Sequence, residues 1–562
     1  MITVNIPGSK SISNRALLLA SLAGPRKIAP KNLLQSDDTK YMQQALKALK
    51  KGKKSLYCGN AGTAMRFLAA YVATLEQTTT LNGNARMRER PIKDLVDALR
   101  QLGAEVEYLK HKGYPPLRIR GPLLGGTCTL QGTISSQYLS GLLMAAPLAK
   151  KNVTIHIRGG LVSKPYVDMT ISMMETYGVK VARDGYKSFR ISAGQKYKAR
   201  SYTIEPDASS ASYFYGIGML TQNKMHIPNL DLKNSLQADV RFVKAATALQ
   251  AKKMSRHIDC ESFPDAAMTL VVLAAFTKGK SEFTGLGNLR VKECDRLSAL
   301  ATELKRIGCR VTEKKEGIIV YGNPEKLHGA PIRTYDDHRM AMCFGMASVL
   351  IPDITIENPQ CVKKTFPTFF IELKKVKKQL NEQNIILSGM RGCGKSTLAK
   401  ALAKKMKREY IDLDTVIEKR AGKTIAEIVA AKGWNYFRTL EAQAVTKISR
   451  KKNIIIAVGG GTVLFQKNVK QLKQHGKIIY LNCSVSSIQK ALAKNKHRPS
   501  VTKESVLEEA KALYAKRHPI YAKNADVIIS GVEHTTNKEK DLTKKVAKLS
   551  AHCAYFGIHE TV

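Results

Sequence analysis

Residues 389–396 read GMRGCGKS, and this segment restricts the possible folds of the 562-residue chain more than any other. It matches the pattern G-x-x-x-x-G-K-[ST], it follows an apolar run at residues 385–387, and a helix is predicted after it over residues 397–407. A strand, a glycine-rich loop and a helix in this order direct backbone N–H groups toward a phosphate. We therefore predict a nucleotide-binding P-loop whose contacts are Gly389, Gly392, Gly394, Lys395, Ser396 and Thr397.

The last third of the chain alternates apolar runs with helical stretches. Candidate strands cover residues 385–387, 454–458 and 478–481. This alternation is typical of a parallel sheet sandwiched by helices. A charged, helix-compatible stretch at residues 374–383 precedes these strands, so we place a domain boundary there. We expect one domain over residues 1–378, a second over residues 383–550, and a tail over residues 551–562.

The chain is strongly basic, with 92 Lys and Arg against 45 Asp and Glu and a net charge of +47. Such an excess attracts anionic small molecules or nucleic acid. Its lysine runs carry no interleaved aromatic residues, and no helix-turn-helix, RRM or zinc-finger pattern is present. We interpret the excess as solvated lysine-rich faces and expect no nucleic-acid partner. The non-enzymatic alternative is a basic nucleic-acid-binding protein on a degenerate scaffold.

Cysteine spacing and hydropathy bear on the compartment. The ten cysteines are scattered singly without a C-x-x-C pair, which predicts reduced thiols and no zinc site. No apolar run reaches the length of a membrane span, and the chain starts on a strand-like segment at residues 2–6 rather than on a signal segment. These features predict a cytoplasmic protein without a membrane partner.

The first two-thirds of the chain contains a repeat. A helical segment runs into a glycine and then a hairpin at Gly103, Gly178 and Gly308. Two further copies, at residues 45–57 and 245–258, are abbreviated and lack a clear hairpin. The pattern predicts repeated β-α-β units, two of them shortened.

Basic and hydroxyl side chains recur in separate clusters along the same region. Residues 7–15, PGSKSISNR, form a glycine turn before a helical run, which suits anion capture at a helix N-terminus. Further clusters lie at residues 60–66, 85–91, 135–137, 289–296, 337–342 and 363–367. Guanidinium and ammonium groups from many segments suit a cleft that neutralises two multiply charged ligands.

The motifs PGSKSISNR, GNAGTAMR, RMRERPI, SSQYLSGLL, LVSKPY, DASSASYF, PDAAMT, RVKECDR, DHRMAM and KTFP follow one another in this order. With them, residues 1–378 resemble the 5-enolpyruvylshikimate-3-phosphate synthases (3-phosphoshikimate 1-carboxyvinyltransferases). The resemblance implies a two-lobed fold of repeated βαβαββ units, an inside-out α/β barrel. Lobe A would take residues 1–10 and 205–378, and lobe B residues 11–204. With the P-loop domain in the last third of the chain, the expected fold class is α/β and α+β.

The same resemblance implies the reaction and its residues. The enolpyruvyl group of phosphoenolpyruvate would be transferred to shikimate 3-phosphate, without a cofactor. The implied shikimate 3-phosphate contacts are Lys10, Ser11, Arg15, Ser135, Ser136, Gln137, Ser163, Tyr166, Asp265, Asn288 and Lys292. The implied phosphoenolpyruvate contacts are Lys10, Gly62, Arg86, Gln137, Arg296, Arg339 and Lys364. The implied catalytic groups are Lys10 and the acid–base candidates Asp265, Lys292 and Glu293.

Two departures from that family and one rival qualify the resemblance. Phe67 stands where the family usually has proline, beside the expected phosphoenolpyruvate wall. The shortened repeats leave open that only one half of the chain is active. The rival is the related transferase that acts on a UDP-sugar, which the motifs SSQYLSGLL and DHRMAM disfavour.

Residues 383–545 resemble the shikimate kinases. The resemblance implies that Asp414, Arg438, Gly459, Gly460, Gly461 and Arg517 bind shikimate, that Ser396 and Asp412 support Mg²⁺, and that Lys395 and the lid residue Arg498 are catalytic. The alternative is a gluconate kinase, which these predicted shikimate-binding residues disfavour. Cys393 is a small filler of the P-loop or a thiol-sensitive position. The expected whole is a bifunctional enzyme that uses shikimate, ATP, shikimate 3-phosphate and phosphoenolpyruvate.

Overall fold

A computed structural model describes residues 1–24, 28–250, 254–493, 506–531 and 538–560. The chain divides into two compact units, Met1–Leu373 and Lys374–Val562. No helix in the described part of the chain is both long enough and apolar enough to cross a bilayer. The charged stretch at residues 374–383 is mostly helical, as its composition predicts.

The first unit is a mixed α/β structure. Its strands are β1 (Ile2–Thr3), β2 (Ser55–Tyr57), β3 (Thr78–Asn82), β4 (Glu105–Tyr108), β5 (Leu117–Arg120), β6 (Gly126–Gln131), β7 (Val153–Arg158), β8 (Ala182–Asp184), β9 (Ser188–Ile191), β10 (Met225–His226), β11 (Ser255–Asp259), β12 (Gly279–Thr284), β13 (Arg310–Lys314), β14 (Gly317–Gly322), β15 (Pro331–Ile332) and β16 (Thr355–Ile356). Its helices are α1 (Lys10–Leu22), α2 (Asp37–Lys50), α3 (Gly62–Val72), α4 (Lys93–Gln101), α5 (Ser136–Ala145), α6 (Lys164–Thr176), α7 (Ala208–Leu220), α8 (Phe242–Leu249), α9 (Pro264–Ala275), α10 (Arg296–Arg306), α11 (His338–Ala347) and α12 (Phe369–Asn381), the last of which runs past the boundary between the units.

Three complete βαβαββ copies confirm the predicted repeat. Their four-stranded sheets have the orders β2-β3-β5-β4, β6-β7-β9-β8 and β11-β12-β14-β13. In each sheet the first two strands pair in parallel and the hairpin adds two antiparallel strands. Gly103, Gly178 and Gly308 follow the second helix of each copy with φ of 92°, 90° and 87°. Only glycine adopts this conformation readily, so it marks the helix end before the hairpin.

The abbreviated copies also agree with the sequence. Helix α2 is followed directly by β2 and α8 by β11, the first strands of two complete copies, so neither helix has a hairpin of its own. Strand β1 pairs only with β10, and β15 with β16, as two-stranded parallel sheets. Many of the motif residues lie at the starts of α1, α3, α5, α9, α10 and α11.

Buried helices carry those motif residues. Nearly every residue of α3 and of α9 is buried, the pattern of a helix enclosed by core on all sides. One continuous apolar core is formed by residues between 12 and 204. Helix ends held in this way present their N-terminal N–H groups at fixed positions.

The second unit has one five-stranded sheet of order β18-β19-β17-β20-β21, parallel throughout. The strands are β17 (Asn384–Ser388), β18 (Glu409–Asp412), β19 (Ile454–Ala457), β20 (Gly476–Asn482) and β21 (Val527–Ser530). The helices are α13 (Lys395–Met406), α14 (Leu413–Ala421), α15 (Ile425–Ile448), α16 (Gln466–Gln474), α17 (Val485–Ala493), α18 (Val506–Asn524) and α19 (Lys538–Ala554). The predicted strands correspond to β17, β19 and β20. The central strand β17 is buried along its whole length, as expected between helical layers.

The end of the chain belongs to this unit's core. Cys553, Phe556 and Ile558 are fully buried in the same apolar cluster as the central strands. Arg408 Nη2 also donates to the His559 backbone oxygen at 3.3 Å. Residues 551–560 are therefore integral to the second unit, whereas the sequence suggested a tail.

Candidate active sites

A cleft in the first unit gathers most of the predicted transferase residues. Its lining contains Lys10, Ser11, Arg15, Gly62, Ser135, Ser136, Gln137, Ser163, Tyr166, Asp265, Asn288, Lys292, Glu293 and Arg296. Several of them sit at helix N-termini, where backbone N–H groups favour anions. Residues from both sides of position 205 contribute, so the cleft is shared by the two predicted lobes.

Arg296 is the centre of the charge network. Its guanidinium lies 2.7 Å from Asp337, 3.1 Å from Asp265 and 2.9 Å from Glu293, and the side chain is only 2% exposed. Arg339 donates to the other oxygen of Asp265 at 2.8 Å. Arg339 is absent from the cleft lining but reaches it through this carboxylate. The network holds guanidinium groups ready for an anionic ligand.

Two lysines share one carboxylate, and of the two Lys10 lines the cleft whereas Lys364 does not. Lys364 Nζ lies 3.2 Å from Glu293 and donates to the Asn60 backbone oxygen at 2.7 Å. Asp38 lies 3.7 Å from both Lys364 Nζ and Lys10 Nζ. Sequence analysis missed Asp38, which lines the cleft from the first turn of α2. A carboxylate between two lysines holds both ammonium groups at the cleft.

Burial and neighbouring charges shift the pKa values of the acid–base candidates in different directions. Burial lowers the pKa of Lys292 to about 8, although Asp265 and Glu293 oppose the shift. Burial alone raises the pKa of Asp265, but Arg339 and Lys292 together hold it well below its ordinary value. Glu293 behaves similarly, because Arg296 and Lys364 outweigh burial and lower its pKa. One group thus titrates near neutrality while two carboxylates stay ionised.

Hydroxyl groups and Arg15 form the other wall. The Arg15 guanidinium donates to Thr170 Oγ1 at 2.7 Å and to the Tyr166 backbone oxygen at 3.0 Å. Tyr166 OH donates to Asp239 Oδ2 at 3.0 Å, and burial raises the pKa of Asp239 to about 6. The ring of Phe67 lies 5.2 Å from the Arg15 guanidinium carbon. Phe67 therefore packs on the Arg15 wall.

Ser135 caps helix α5 and, together with Gln137 and Asn288, extends this polar wall. Its hydroxyl accepts a hydrogen bond from the Gln137 backbone N–H at 3.3 Å. The Gln137 side chain donates to Thr63 Oγ1 at 3.3 Å. Asn288, from beyond position 205, donates to Ser163 Oγ at 3.1 Å. These contacts leave a row of short polar groups facing the same space as Lys10.

Two arginines of one motif, Arg86 and Arg90, have different surroundings. Arg86 is not part of the cleft lining, since it donates to the backbone oxygens of Lys292 and Glu293 at 2.9 Å each. Arg90, four residues later in the same motif, does line the cleft. Burial, followed by the charge of Arg66, lowers the pKa of Arg90 to about 10, and its buried Nε has no hydrogen-bond partner in the described structure. Arg90 Nη1 also donates to the Asn60 backbone oxygen at 3.3 Å, and the buried guanidinium borders the cleft.

The P-loop of the second unit follows β17 as predicted. Gly389, Gly392 and Gly394 have φ of 147°, 78° and 81°, values that side chains with a Cβ rarely tolerate. Lys395 begins α13, and its Nζ donates to the Gly389 and Met390 backbone oxygens at 3.1 and 2.9 Å. These loop carbonyls hold the ammonium at the helix N-terminus, where a phosphate binds.

Ser396 and Asp412 form the predicted metal pair. Ser396 Oγ donates to Asp412 Oδ2 at 2.6 Å, and Tyr410 OH donates to the same oxygen at 3.1 Å. Asp412 also accepts from the Asp414 backbone N–H at 3.0 Å, capping α14. A hydroxyl and a carboxylate are hard oxygen donors, so the residues fit Mg²⁺.

A cavity of about 330 Å³ lies beside the P-loop. It contains the whole predicted shikimate set, namely Asp414, Arg438, Gly459, Gly460, Gly461 and Arg517. Arg391 from the P-loop, Trp434 and Glu441 line it too, and sequence analysis missed all three. The predicted lid residue Arg498 lies outside the described residues.

Arg438 is held in place by its surroundings. Its Nη1 donates to Glu441 Oε2 at 2.8 Å. Its guanidinium carbon lies 5.4 Å from the Trp434 ring, 5.2 Å from Phe437 and 5.6 Å from Phe465. Cation–π contacts on three sides and one ion pair fix a planar cation that suits a carboxylate.

The cationic cleft and the P-loop cavity define a bifunctional transferase of small phosphorylated or carboxylated molecules. The family model of EPSP synthase (3-phosphoshikimate 1-carboxyvinyltransferase) matches residues 2–56 and 50–373. The shikimate kinase family model matches residues 391–550. The chain belongs to the EPSP synthase family, and its last third is a shikimate kinase domain.

Individual relatives and solved structures resemble one part of the chain or the other. The chain is 42% identical over 412 residues to the 3-phosphoshikimate 1-carboxyvinyltransferase of Enterobacter sp. (strain 638), covering 66% of this chain and 96% of that protein. An EPSP synthase structure from Acinetobacter baumannii shares the fold at 23% identity and a TM-score of 0.55, with 66% and 95% of the two chains covered. A shikimate kinase of the same species in complex with shikimate is 31% identical, covering 31% of this chain and 96% of that one with a TM-score of 0.28.

Proposed function

We propose that the chain catalyses two consecutive transfers. The second unit phosphorylates shikimate with ATP to give shikimate 3-phosphate. The first unit transfers the enolpyruvyl group of phosphoenolpyruvate to that product, giving 5-enolpyruvylshikimate 3-phosphate and phosphate. The observation that carries the proposal is the convergence of Arg296, Arg339 and Lys364 on Asp265 and Glu293 in the first unit. Cations held by carboxylates in one cleft suit a substrate with a phosphate and a carboxylate.

The two walls of the cleft divide the substrates between them. Arg296, Arg339 and Lys364 bind phosphoenolpyruvate, and Arg90 takes the role first given to Arg86. Lys10 lies within reach of both walls. The shikimate 3-phosphate wall consists of Ser11, Arg15, Ser135, Ser136, Gln137, Ser163, Tyr166 and Asn288. Its short hydroxyl and amide groups hydrogen-bond phosphate and ring hydroxyls.

The acid–base roles follow from the pKa shifts. Asp265 is ionised at neutral pH, so it can accept the proton of the 5-hydroxyl. Lys292, with a pKa of about 8, is mostly protonated at neutral pH and can donate a proton to the methylene carbon of phosphoenolpyruvate. Glu293 remains a carboxylate that orients Arg296 and Lys364.

In the second unit, the P-loop binds ATP and the cavity binds shikimate. Lys395 contacts the β- and γ-phosphates, and Ser396 and Asp412 hold Mg²⁺. When bound, Mg²⁺ neutralises the phosphate charge that develops during transfer. Arg438 and Arg517 bind the shikimate carboxylate, and Asp414 orients the hydroxyl that is phosphorylated. The glycine backbone at residues 459–461 lets the ring approach closely.

We assign residues 1–378, with lobe A over 1–10 and 205–378 and lobe B over 11–204, to carboxyvinyl transfer. The kinase domain begins near residue 383 and, because its end is buried, includes residues 551–560. We also propose a cytoplasmic, reducing compartment. All ten cysteines are free thiols, eight of them buried, which supports this proposal.

A reconstituted assay with shikimate, ATP and phosphoenolpyruvate tests both sites. The full-length enzyme should release phosphate only when all three substrates are present. Lys395→Met should abolish turnover of shikimate but retain phosphate release from added shikimate 3-phosphate. Asp265→Asn should form ADP and accumulate shikimate 3-phosphate without releasing phosphate.

The outcomes separate the alternatives. ADP formation without phosphate release by the unaltered enzyme would show that only the kinase half is active. Salt-dependent binding of duplex DNA with no turnover would favour the nucleic-acid alternative.

A further inference from the structure

Two neighbouring cysteines lie at the P-loop. Cys393 belongs to the loop, and Cys483 directly follows β20. The Cys483 thiol donates to the Cys393 backbone oxygen at 3.7 Å, and the two side chains also hydrogen-bond to each other. The two residues are only 2% and 4% exposed, so only small reagents reach the sulfur atoms.

The hydrogen bond between them distinguishes the two thiols, and Lys395 lies close by. Its Nζ lies 3.9 Å from Cys393 Sγ. The hydrogen bond from Cys483, supported by this ammonium group, lowers the pKa of Cys393, and the same bond raises the pKa of Cys483. A thiolate in contact with a second thiol provides the attacking group and the resolving group of an oxidation.

We propose that Cys393 and Cys483 form a reversible oxidation site for hydrogen peroxide, and that their disulfide inactivates the kinase unit. The Cys393 thiolate attacks one peroxide oxygen, the O–O bond breaks, and a sulfenic acid and hydroxide form. The Cys483 sulfur then attacks the sulfenic sulfur and displaces the oxygen, which leaves as water with the Cys483 proton. In sum, two thiols and one hydrogen peroxide give one disulfide and two waters.

The position of the disulfide explains its effect. Cys393 immediately precedes Gly394 and Lys395, whose backbone and ammonium groups face the phosphates. A covalent bond to Cys483 ties this part of the loop to the end of β20 and prevents the loop from adjusting around a nucleotide. This consequence rests on the proposed role of the P-loop in ATP binding, whereas formation of the disulfide does not.

The test uses the full-length enzyme treated with a small excess of hydrogen peroxide and then with catalase. Peptide mapping without reductant should find a cross-linked peptide joining Cys393 and Cys483. Formation of shikimate 3-phosphate should fall at least tenfold and recover with dithiothreitol. Carboxyvinyl transfer from added shikimate 3-phosphate is the internal control for general damage.

Matched variants give the decisive comparison. Cys483→Ser should show no cross-link, and oxidation of its Cys393 should stop at the sulfenic acid. Cys553→Ser removes an equally buried thiol of the same unit and should respond like the unaltered enzyme. Reduced Cys393 and Cys483 after treatment, or a cross-link that leaves the kinase rate unchanged, would overturn the proposal. A cross-link in an enzyme without initial kinase activity would count against the kinase function and for the oxidation site.

Discussion

Arg86 and Arg90 share one motif but have different partners. Arg86 is held by two backbone oxygens, whereas Arg90 is buried in the cleft lining with an unpaired Nε. We expect Arg90→Ala to lower kcat/KM for phosphoenolpyruvate by about 3 kcal/mol, roughly a hundredfold, because a buried cation that pairs with the ligand is lost. Steady-state kinetics of phosphate release at saturating shikimate 3-phosphate measures this effect.

Arg86→Ala is the matched control for that experiment. It removes a guanidinium from the short helix Arg86–Glu89, which immediately precedes Arg90, without emptying the ligand space. We expect a loss of less than tenfold. A larger loss for Arg86→Ala than for Arg90→Ala would reverse the assignment of the two arginines.

Lys292 should govern the pH dependence of carboxyvinyl transfer. Burial lowers its pKa to about 8, and the proposed role requires the protonated form. The protonated fraction falls as pH rises through this value, so kcat/KM should decline above about pH 8. Lys292→Arg keeps the charge at all accessible pH values and should remove this decline while lowering kcat. A pH profile that rises through this range would assign Lys292 as the base.

Most of the predicted transferase residues lie in contiguous motifs, and the structure brings them to one cleft. The sequence did not distinguish Arg86 from Arg90, because which one faces inward depends on the turn of a short helix. Asp38, Asp239 and Glu441 were missed for a different reason. Single acidic residues in helical segments resemble surface charges, and their partners, such as Tyr166 for Asp239, are distant in sequence.

At the scale of elements, the N-terminus of α3 is packed against two arginines. A Cβ added to Gly62 would lie 2.5 Å from Arg66 Nη1 and 2.6 Å from Arg90 Nη2. Gly62→Ala must therefore displace one or both guanidinium groups. We expect KM for phosphoenolpyruvate to rise about tenfold, a change of about 1.4 kcal/mol, with little loss of folding stability.

Gly160→Ala provides the control for that substitution. Gly160 lies in the loop that leads to Ser163, and a Cβ there would meet nothing within 4 Å. In the Gly160→Ala enzyme, KM for phosphoenolpyruvate should stay within a factor of two of the unaltered value, a change of roughly 0.4 kcal/mol. Equal effects of the two substitutions would argue against steric displacement of the arginines.

The elements themselves were predictable to different degrees. The glycine-to-hairpin repeat and the P-loop are local patterns, and both are confirmed. The order of the four-stranded sheets is set by contacts between distant segments, which the spacing of residues along the chain does not reveal. The role of residues 551–560 escaped prediction because short apolar groups such as Phe556 and Ile558 show no periodicity. Only tertiary packing reveals that they complete a core.

At the scale of the whole molecule, the two units carry different chemistry. The first unit has the carboxylate-bound arginines of the cleft, and the second has the P-loop and the acceptor cavity. The net charge of +47 is consistent with the four anionic substrates shikimate, ATP, shikimate 3-phosphate and phosphoenolpyruvate. Neither the charge nor the fold requires nucleic acid.

The buried chain end offers a way to perturb one unit alone. Phe556 is fully buried, and the Lys477 ammonium lies 5.2 Å from its ring centroid. Phe556→Ala should lower the free energy of unfolding of the second unit by about 3 to 5 kcal/mol, because removing the buried aromatic ring leaves a cavity in the core. Tyr555→Ala, at a neighbouring residue that is 43% exposed, should cost less than about 1 kcal/mol.

The single tryptophan makes the measurement specific. Trp434 lies in the second unit, so its fluorescence during urea unfolding reports on that unit. We expect the midpoint to shift to lower urea for Phe556→Ala and to stay unchanged for Tyr555→Ala. Carboxyvinyl transfer should persist at urea concentrations where the Phe556→Ala kinase unit has unfolded. An unshifted Trp434 transition in Phe556→Ala would mean that residues 551–560 do not stabilise the kinase core.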